Sequence, residues 1–520
     1  MYRKSALILF IIILCAFAAT VQGTVQQSAP ASLQSPGAML ASGAWGSLWN
    51  VSSMRSIMPD TKLAASKANA VRLSAARNEF EPFQLVLRPL KQLKNVKVVP
   101  HVLSGPAGAN IGAWNINVRN VGYVKTAAST SNPDPLPDFK PFTAVAGANS
   151  AMWVTVYVPD KTTPGDYRGT VDIMADGLAK ITVPVVVHVW NFTLPSVSSL
   201  RTAFACDFNE AARQHNASTL EEKRKLVELY DLDFWRHRVA PMVPYAFHDI
   251  KASLDGDRLS LDFSDFDVAV KKLLPLFNSF NLPSFGPGET PGVSFGNDYE
   301  RLKTEYMRSV TEHLADKGQI TKAYNYIDIA NDATPEQLKA VKDIADLCQR
   351  ADGRIKVLLP IPYDKQLSGY VDIWAPAAGQ YPANTTQAGQ VTWWSMVSDP
   401  GTISLPGYRS IPWLVWDSGV RGIVCKSQML YSPATVSGGK FVAAGPVPSI
   451  RLEMIREGME DYEYLRLLKD KLDKAKSAKS ASPAVAKAEE ALVIANRCAR
   501  DRVHLDECRA KLAAAIETLK

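Results

Sequence analysis

Cysteine is scarce in this sequence, with six residues among 520. None of them forms a Cys-x-x-Cys pair, and the histidines show neither HxH nor HExxH spacing. Such spacings are what zinc sites and disulfide-framed folds leave in a sequence. We therefore expect no metal site and no disulfide framework. Cys498 and Cys508 are close enough along the chain to bridge, and the other cysteines of the mature chain are expected to be buried thiols.

A second scarcity is that of long hydrophobic runs. The run from Leu7 to Ala19 follows Arg3 and Lys4 and ends near small residues, as a cleaved signal peptide does. Residues 1–23 are therefore expected to be a signal peptide, and the protein to be exported. An uncleaved anchor is the alternative, but the run is short for the ~20 residues that a membrane helix needs. No second apolar span follows.

Strong charge and the common cofactor motifs are missing as well. The net charge is +7, and many lysines fall in residues 469–479 rather than among aromatic residues, so we expect no nucleic-acid partner. The sequence contains no GxSxG, phosphate loop or dinucleotide fingerprint, and no cofactor is expected. These absences remove the common hydrolase, nucleotide and redox alternatives.

Residues 40–195 alternate short β-branched or aromatic runs with turn residues, as in "MWVTVYVPD" and "ITVPVVVHVW". Period-two runs separated by Gly, Pro, Asn and Asp predict a β-sandwich. Pro164, Gly165 and Asp166 supply one of its turns.

Residues 200–446 alternate short apolar runs with amphipathic helical stretches, and eight such runs can be counted. This favours a parallel (β/α)8 TIM-like barrel, in which functional groups gather at the carboxyl ends of the strands. An open doubly wound sheet is the alternative, but it would want a glycine-rich first turn, which "ACDFNEAAR" lacks. Residues 447–520 are predicted to be a helical hairpin packed on the barrel, with Ser482 and Pro483 beginning its second helix.

Four segments resemble, in this order, glycoside hydrolase family 123 and its uncharacterised relatives. They are "SAARNEFEPFQLVL", "VDIWAP", "GYRSIPWLVW" and "IRLEMIREGMEDYEYL". The resemblance covers most of the mature chain and implies a β-sandwich followed by a (β/α)8 barrel. It also implies removal of terminal β-linked N-acetylgalactosamine by substrate-assisted hydrolysis. An aspartate then steadies the sugar's acetamido group, and the adjacent glutamate protonates the leaving oxygen.

The resemblance places Asp328 at the aspartate position and Ile329 at the glutamate position. An isoleucine cannot donate a proton, and loss of general acid catalysis costs ~10²- to 10⁴-fold in rate. A second departure is Lys426, where the final strand of the family usually ends in an aromatic residue. Asp328 is thus the one expected catalytic residue. Together with Ile329 it forms a degenerate version of the Asp-Glu pair.

The expected glycan contacts combine strand-end polar groups with aromatic faces, on which the apolar faces of sugars stack. Trp374 and one of the pair Trp393 and Trp394 should reach the pocket, because alternate residues of a strand point to opposite sides. Trp413 is expected on a helix start, in the core. The full set of expected substrate-binding residues is Asp207, Tyr326, Trp374, Trp393, Trp394 and Lys426.

Structural roles compete with these assignments. Asp328 lies near a helix start, but Thr334, Pro335 and Gln337 already form a capping box there. A place at the pocket mouth and a structural role, as a cap or a salt-bridge partner, explain Asp207 equally well. Glu289 is a candidate for a remote acid, but a solvated loop glutamate is the simpler interpretation. Asp332 and Glu336 are candidates to replace the lost acid, but helix capping and first-turn charge explain both more simply.

Three functions stay open at this point. One is a glycosidase acting on an N-acetylhexosaminide, and another is a non-catalytic glycan-binding pseudoenzyme. The third is a structural surface protein with a filled barrel mouth. Fold alone does not separate them.

Overall fold

The computed structural model describes residues 37–125, 131–283, 298–379, 390–396, 403–426, 431–432, 435–436, 441–442, 445–478, 482–502 and 504–519. These ranges contain both strands and helices, so the architecture is mixed α and β. Across them, no helix combines the length and the apolar character needed to cross a membrane. The expected signal peptide, residues 1–23, and Glu289 lie outside the described residues.

The amino-terminal region is built from strands. They are β1 (Ala38–Gly43), β2 (Gly46–Ser52), β3 (Val71–Arg77), β4 (Glu79–Pro89), β5 (Leu93–Pro100), β6 (Leu103–Ser104), β7 (Asn110–Ile111), β8 (Ile116–Asn120), β9 (Tyr123–Lys125), β10 (Ser131–Pro133), β11 (Phe142–Ala144), β12 (Ser150–Val158), β13 (Gly165–Ala175) and β14 (Leu178–Thr193).

Apart from β9 and β10, which pair with each other, these strands form two sheets over one core. One sheet has the order β1-β2-β4-β12-β8, and the main path of the other is β11-β5-β13-β14-β3. The period-two pattern is clear in β14, where Val183, Val185, Val187 and Val189 are buried and the residues between them are more exposed. These valines share a hydrophobic cluster with side chains of the other sheet, such as Leu85 of β4.

The next region also begins with short strands. They are β15 (Arg201–Phe204), β16 (Lys251–Asp255), β17 (Arg258–Asp262), β18 (Phe280–Asn281), β19 (Ala323–Tyr326), β20 (Val357–Leu359), β21 (Ile373–Trp374), β22 (Val391–Thr392), β23 (Trp394–Met396), β24 (Gly422–Cys425), β25 (Tyr431–Ser432), β26 (Thr435–Val436), β27 (Phe441–Val442) and β28 (Val447–Pro448).

Most of these strands join a curled parallel sheet. Strands β18-β19-β20-β21-β22 pair in that order, and β15-β24-β23 form a second parallel group. The β16 and β17 strands make a separate antiparallel hairpin. Backbone hydrogen bonds connect Phe204 of β15 with Met242, and Met242 with Asn281 of β18. The curled sheet therefore brings the carboxyl ends of strands that are distant in sequence to one edge.

The helices lie between and after these strands. They are α1 (Phe208–Gln214), α2 (Leu220–Arg236), α3 (Phe266–Lys272), α4 (Tyr299–Asp316), α5 (Pro335–Ala351), α6 (Leu405–Ser418), α7 (Ile450–Ser477), α8 (Pro483–Asp501) and α9 (Leu505–Thr518). The 3₁₀ turns are Pro106–Gly108, Ala113–Asn115, Leu274–Leu276, Ile320–Lys322 and Lys365–Leu367.

Local sequence explains where α5 begins. Gln337 N donates to Thr334 Oγ1 at 3.3 Å, and Thr334 N donates to Gln337 Oε1 at 2.8 Å. This is the capping box expected from the sequence, with Pro335 as the first helical residue. The start of α5 is thus fixed without Asp328.

The carboxyl-terminal region has three helices, α7, α8 and α9, rather than the expected hairpin of two. Cys498 of α8 and Cys508 of α9 form a disulfide. Gly458 of α7 lets that helix approach α6 closely, because a Cβ there would lie 2.3 Å from the carbonyl oxygen of Arg409. α9 also reaches the sheets, where Glu517 accepts a hydrogen bond from Asn191 N at 2.6 Å.

Candidate functional site

Three polar side chains meet where strands β19 and β24 end, and we call them the mouth site: Tyr326, Asp328 and Lys426. The Lys426 ammonium donates to Asp328 Oδ1 at 2.8 Å. The Tyr326 hydroxyl donates to the same oxygen at 3.0 Å. Tyr326 ends β19 and Lys426 directly follows β24. The curled sheet therefore joins two groups that are 98 residues apart in sequence.

The alternation of side chains along β19 continues past its last residue, Tyr326, and decides which side chains take part. Tyr326 and Asp328 are two residues apart and so point to the same side, whereas Ile329 points to the other. Ile329 is 7% exposed and belongs to a hydrophobic cluster with residues of α4 and α5. The side chain at the expected glutamate position is thus part of the core and not of the mouth site.

The mouth site is exposed and polar. The side chain of Asp328 is 72% exposed and that of Lys426 is 38% exposed. Partial burial alone would raise the pKa of Asp328, but the hydrogen bond and charge of Lys426, with the Tyr326 hydroxyl, hold it below its ordinary value. Asp328 is therefore ionised at neutral pH.

Tyr326 is protonated under the same conditions. Burial and the neighbouring charge of Asp328 raise the pKa of the Tyr326 phenol well above its ordinary value. The backbone of Tyr326 is held in turn by Asn281 of β18, whose Oδ1 accepts from Tyr326 N at 2.8 Å. Asn281 could not be predicted from the sequence, because one asparagine at a strand end carries no distinctive signal.

The arrangement offers hydrogen-bond donors and an acceptor, and neither its carboxyl group nor its phenol is suited to protonate a leaving oxygen. Asp328 is ionised, and Tyr326 holds its proton more tightly than a free phenol. In the part of the chain that the structure describes, the side-chain partners of Asp328 are Lys426 and Tyr326. Glu289, considered as a remote acid, lies outside the described residues.

Asp207 has a structural task. It precedes α1, and its Oδ1 accepts from Glu210 N at 2.9 Å. This is an N-cap contact, which satisfies a backbone group left free at the start of a helix. Asp207 therefore has the structural role that the sequence allows, as the N-cap of α1.

The tryptophans agree with the sequence expectation in that Trp393 and Trp394 point to opposite sides, but Trp374 does not reach the mouth site. Trp374 is 0% exposed and packs in the cluster that contains Ile329, so it offers no face at the mouth site. Trp394 faces a cluster outside the curled sheet. Trp393 faces the interior, where it packs against Tyr324 with ring centroids 5.8 Å apart.

The parity of β21 explains the correction at Trp374. Ile373 and Ala375 point into the interior of the curled sheet, so Trp374 must point outward. Trp413 is in the core as expected, but it lies well inside α6 rather than at its start, and it donates to Asp461 at 2.8 Å.

Within the described ranges, no group of three or more His, Cys, Asp or Glu side chains is placed to hold a metal ion. Cys348 and Cys425 are buried thiols and Cys206 is half-buried.

Comparisons with known proteins support the fold alone. No protein-family model matches the chain, and no curated protein matches its sequence. A solved family 123 glycoside hydrolase from Clostridium perfringens, described in terms of glycolipid glycan hydrolysis, has a TM-score of 0.65 and 14% identity, covering 91% of this chain and 98% of that one. The chain therefore has a glycoside hydrolase-like fold.

Two further solved structures are also glycoside hydrolases. A family 39 enzyme from Bacteroides cellulosilyticus has a TM-score of 0.32 and 9% identity, covering 75% of this chain and 81% of that one. A family 5 xyloglucanase from Bacteroides ovatus has a TM-score of 0.27 and 8% identity, covering 75% and 98%. These scores are too low to support an argument.

Proposed function

We propose that this protein binds a glycan at the mouth site without hydrolysing it. The glycan we have in mind carries a terminal N-acetylhexosamine, as the resemblance to family 123 implies, and β-linked N-acetylgalactosamine is the first candidate. The observation that carries the proposal is the contact of Asp328 with Lys426. It gathers a carboxylate, an ammonium and a phenol at the strand ends of a glycoside hydrolase-like fold.

The proposed architecture is a β-sandwich, a (β/α)8-like barrel and a carboxyl-terminal helical segment, with boundaries near residues 195 and 446. Support for closure of the barrel comes from backbone hydrogen bonds. Met242 bonds to Phe204 of β15, and Asn281 of β18 bonds to Met242. Strand β24 pairs with both β15 and β23. Binding sites of such barrels lie at the carboxyl ends of the strands, where the mouth site is.

Recognition without hydrolysis follows from the chemistry of the mouth site. Hydrolysis of an unactivated glycoside needs a proton donor at the leaving oxygen, and its loss costs ~10²- to 10⁴-fold. Ile329 has no acidic proton, and its side chain lies in the core. Asp328 and Tyr326 are respectively ionised and firmly protonated. The same groups are well suited to hydrogen-bond sugar hydroxyl and acetamido groups.

A second candidate is a substrate-assisted hydrolase. The observation in its favour is that Asp328 is ionised and exposed, as a carboxylate that orients an acetamido group must be. The proton donor would then come from a residue outside the mouth site, or the substrate would carry a leaving group that needs no protonation. Substrate-assisted enzymes are known exceptions to the two-carboxylate scheme.

Export completes the proposal. Glycans and glycoconjugates are found mainly outside the cytoplasm, and the charged start and apolar run of residues 1–23 resemble a signal peptide.

The test is release of nitrophenol from aryl β-N-acetylgalactosaminide and related aryl glycosides, joined to binding of the corresponding free sugars. Asp328→Asn is the test variant, and Asp343→Asn is the matched control, since Asp343 forms an exposed pair with Lys339 at 2.7 Å on α5. We expect saturable binding that Asp328→Asn weakens, and no turnover. Turnover that Asp328→Asn abolishes would establish the hydrolase instead.

A further inference from the structure

A cavity lies at the opposite end of the curled sheet from the mouth site, and we call it the basal pocket. It has a volume of 660 Å³ and is lined by Arg201, Arg354, Lys356, Arg421 and Arg466, together with Trp393 and Tyr462. Arg201 begins β15 and Arg421 precedes β24. The mouth site follows the last residues of β19 and β24, so the two sites lie at opposite ends of the strands.

The lining of the basal pocket is unevenly charged. Lys356 pairs with Asp372 at 3.0 Å, and Arg354 pairs with Asp352 at 2.6 Å. These two cations are neutralised locally. The other three cationic side chains, all arginines, have no comparably close acid among the described residues.

Each of the three arginines lacks some of the hydrogen-bond or ion-pair partners that a guanidinium group can have. Arg201 donates to the carbonyl oxygen of Thr321 at 3.1 Å, and partial burial lowers its pKa. The nearest acid to Arg466 is Asp470 at 3.7 Å, and its Nε is buried with no hydrogen-bond partner. For Arg421, no side-chain hydrogen bond or ion pair is found in the part of the chain that the structure describes. A guanidinium without an acid is a ready partner for an oxyanion.

The remaining lining shows what accompanies the charge. Trp393 and Tyr462 add aromatic surface, and Ile373 and Val391 add aliphatic surface. A pocket of this size, apolar with a few convergent polar groups, suits a small organic ligand. We propose that the basal pocket binds a small molecule that carries an oxyanion, a carboxylate, sulfate or phosphate, on an apolar or sugar body. This goes beyond the glycan site and does not depend on it.

Arg421 provides a clean test, because no partner within the described residues loses a contact when it is replaced. The full chain is titrated with inorganic sulfate, inorganic phosphate and glucuronate at about 150 mM sodium chloride, where exposed charges are largely screened beyond about 8 Å. Binding is followed by calorimetry and by tryptophan fluorescence, since Trp393 lines the pocket. Arg421→Gln and Arg201→Gln are compared with Arg213→Gln, an exposed arginine of α1 paired with Glu210.

We expect saturable binding of at least one of these anions, weakened about tenfold or more by Arg421→Gln and by Arg201→Gln and unchanged by Arg213→Gln. Asp328→Asn should leave it unchanged, which separates this site from the mouth site. The proposal is overturned if none of the anions binds. It is also overturned if the pocket variants bind as tightly as Arg213→Gln does.

Discussion

Two clusters of oppositely charged side chains in this molecule differ in how deeply they are buried. At the mouth site, Asp328 and Lys426 form one pair, and their side chains are 72% and 38% exposed. Between the amino-terminal sheets and the carboxyl-terminal helices, Arg409, Asp461 and Arg509 form a buried network in which no side chain is more than 5% exposed. Arg509 also contacts Glu79 at 3.0 Å and Glu457 at 2.9 Å.

The difference teaches which charges are structural. A buried ion must be compensated, and removal of one partner leaves the other stranded in a medium of low dielectric constant. An exposed pair adds little stability, typically 0 to about 1 kcal/mol, because water and salt screen it. The buried network is therefore structural. The mouth pair costs little stability to break, as the proposed glycan site requires.

The largest expected effect is at Asp461. Asp461→Ala leaves Arg409, Arg509 and the Trp413 indole without their shared acceptor. We expect a loss of about 4 kcal/mol in the free energy of unfolding, measured by chemical denaturation. The control is Asp470→Ala on the same helix, at a side chain 52% exposed, for which we expect under about 1 kcal/mol. Equal losses in the free energy of unfolding for the two variants would contradict the distinction between buried and exposed charges.

The next largest effect on stability is expected at Ile329. Ile329→Glu would restore the acid in name, but its side chain would enter a hydrophobic cluster. We expect a loss of about 3 kcal/mol of stability, because a carboxyl group is costly in an apolar cluster. We also expect no gain of glycosidase activity, because the side chain at this position points away from the mouth site. Ile329→Leu is the control. A stable variant that releases nitrophenol would show that this position reaches the mouth after all.

The stability that the buried charges around His237 contribute should depend on pH. Burial alone would lower the pKa of His237, but Asp233 and Glu453 on either side raise it from 6.5 to about 9. Because the folded pKa lies above the unfolded one, this stabilisation is complete below pH 6.5 and is lost as the pH rises through about 9.

His237→Gln should therefore destabilise the protein on the order of 2 kcal/mol at pH 6, and by less at pH 9.5. The measurement is chemical denaturation of both proteins across this range. A difference that grows with pH would mean that His237 is neutral in the folded state.

The smallest effect on stability is expected at the mouth. Lys426→Met should change the free energy of unfolding by less than about 1 kcal/mol, as should Lys339→Met in the exposed pair on α5. The pKa of Asp328 should rise in Lys426→Met alone, since Lys426 helps to hold it down. Carboxyl NMR titration of Asp328 measures this shift. An unchanged pKa would contradict the pairing.

Local features of the fold were predictable because local sequence encodes them. The alternating valines of β14 mark one buried face, and Thr334 with Gln337 marks the start of α5. Trp374 was placed wrongly because both faces of its strand are apolar, so the pattern does not say which side is interior.

Contacts between distant segments were the part that sequence could not supply. Lys426 and Asp328 were each singled out, but their contact spans 98 residues and depends on how the sheet curls. The charged residues of α7, such as Glu457 and Asp461, resemble a solvated helix face in the sequence. They can be buried because Arg409 of α6 and Arg509 of α9 form ion pairs with them.

The most direct test is calorimetric titration with an oligosaccharide ending in β-linked N-acetylgalactosamine, with analysis of the sugar recovered afterwards. We expect saturable binding that Asp328→Asn weakens about tenfold or more and Asp343→Asn leaves unchanged, with full recovery of the intact oligosaccharide. Binding that does not depend on Asp328, or cleavage of the sugar that does, would contradict this expectation.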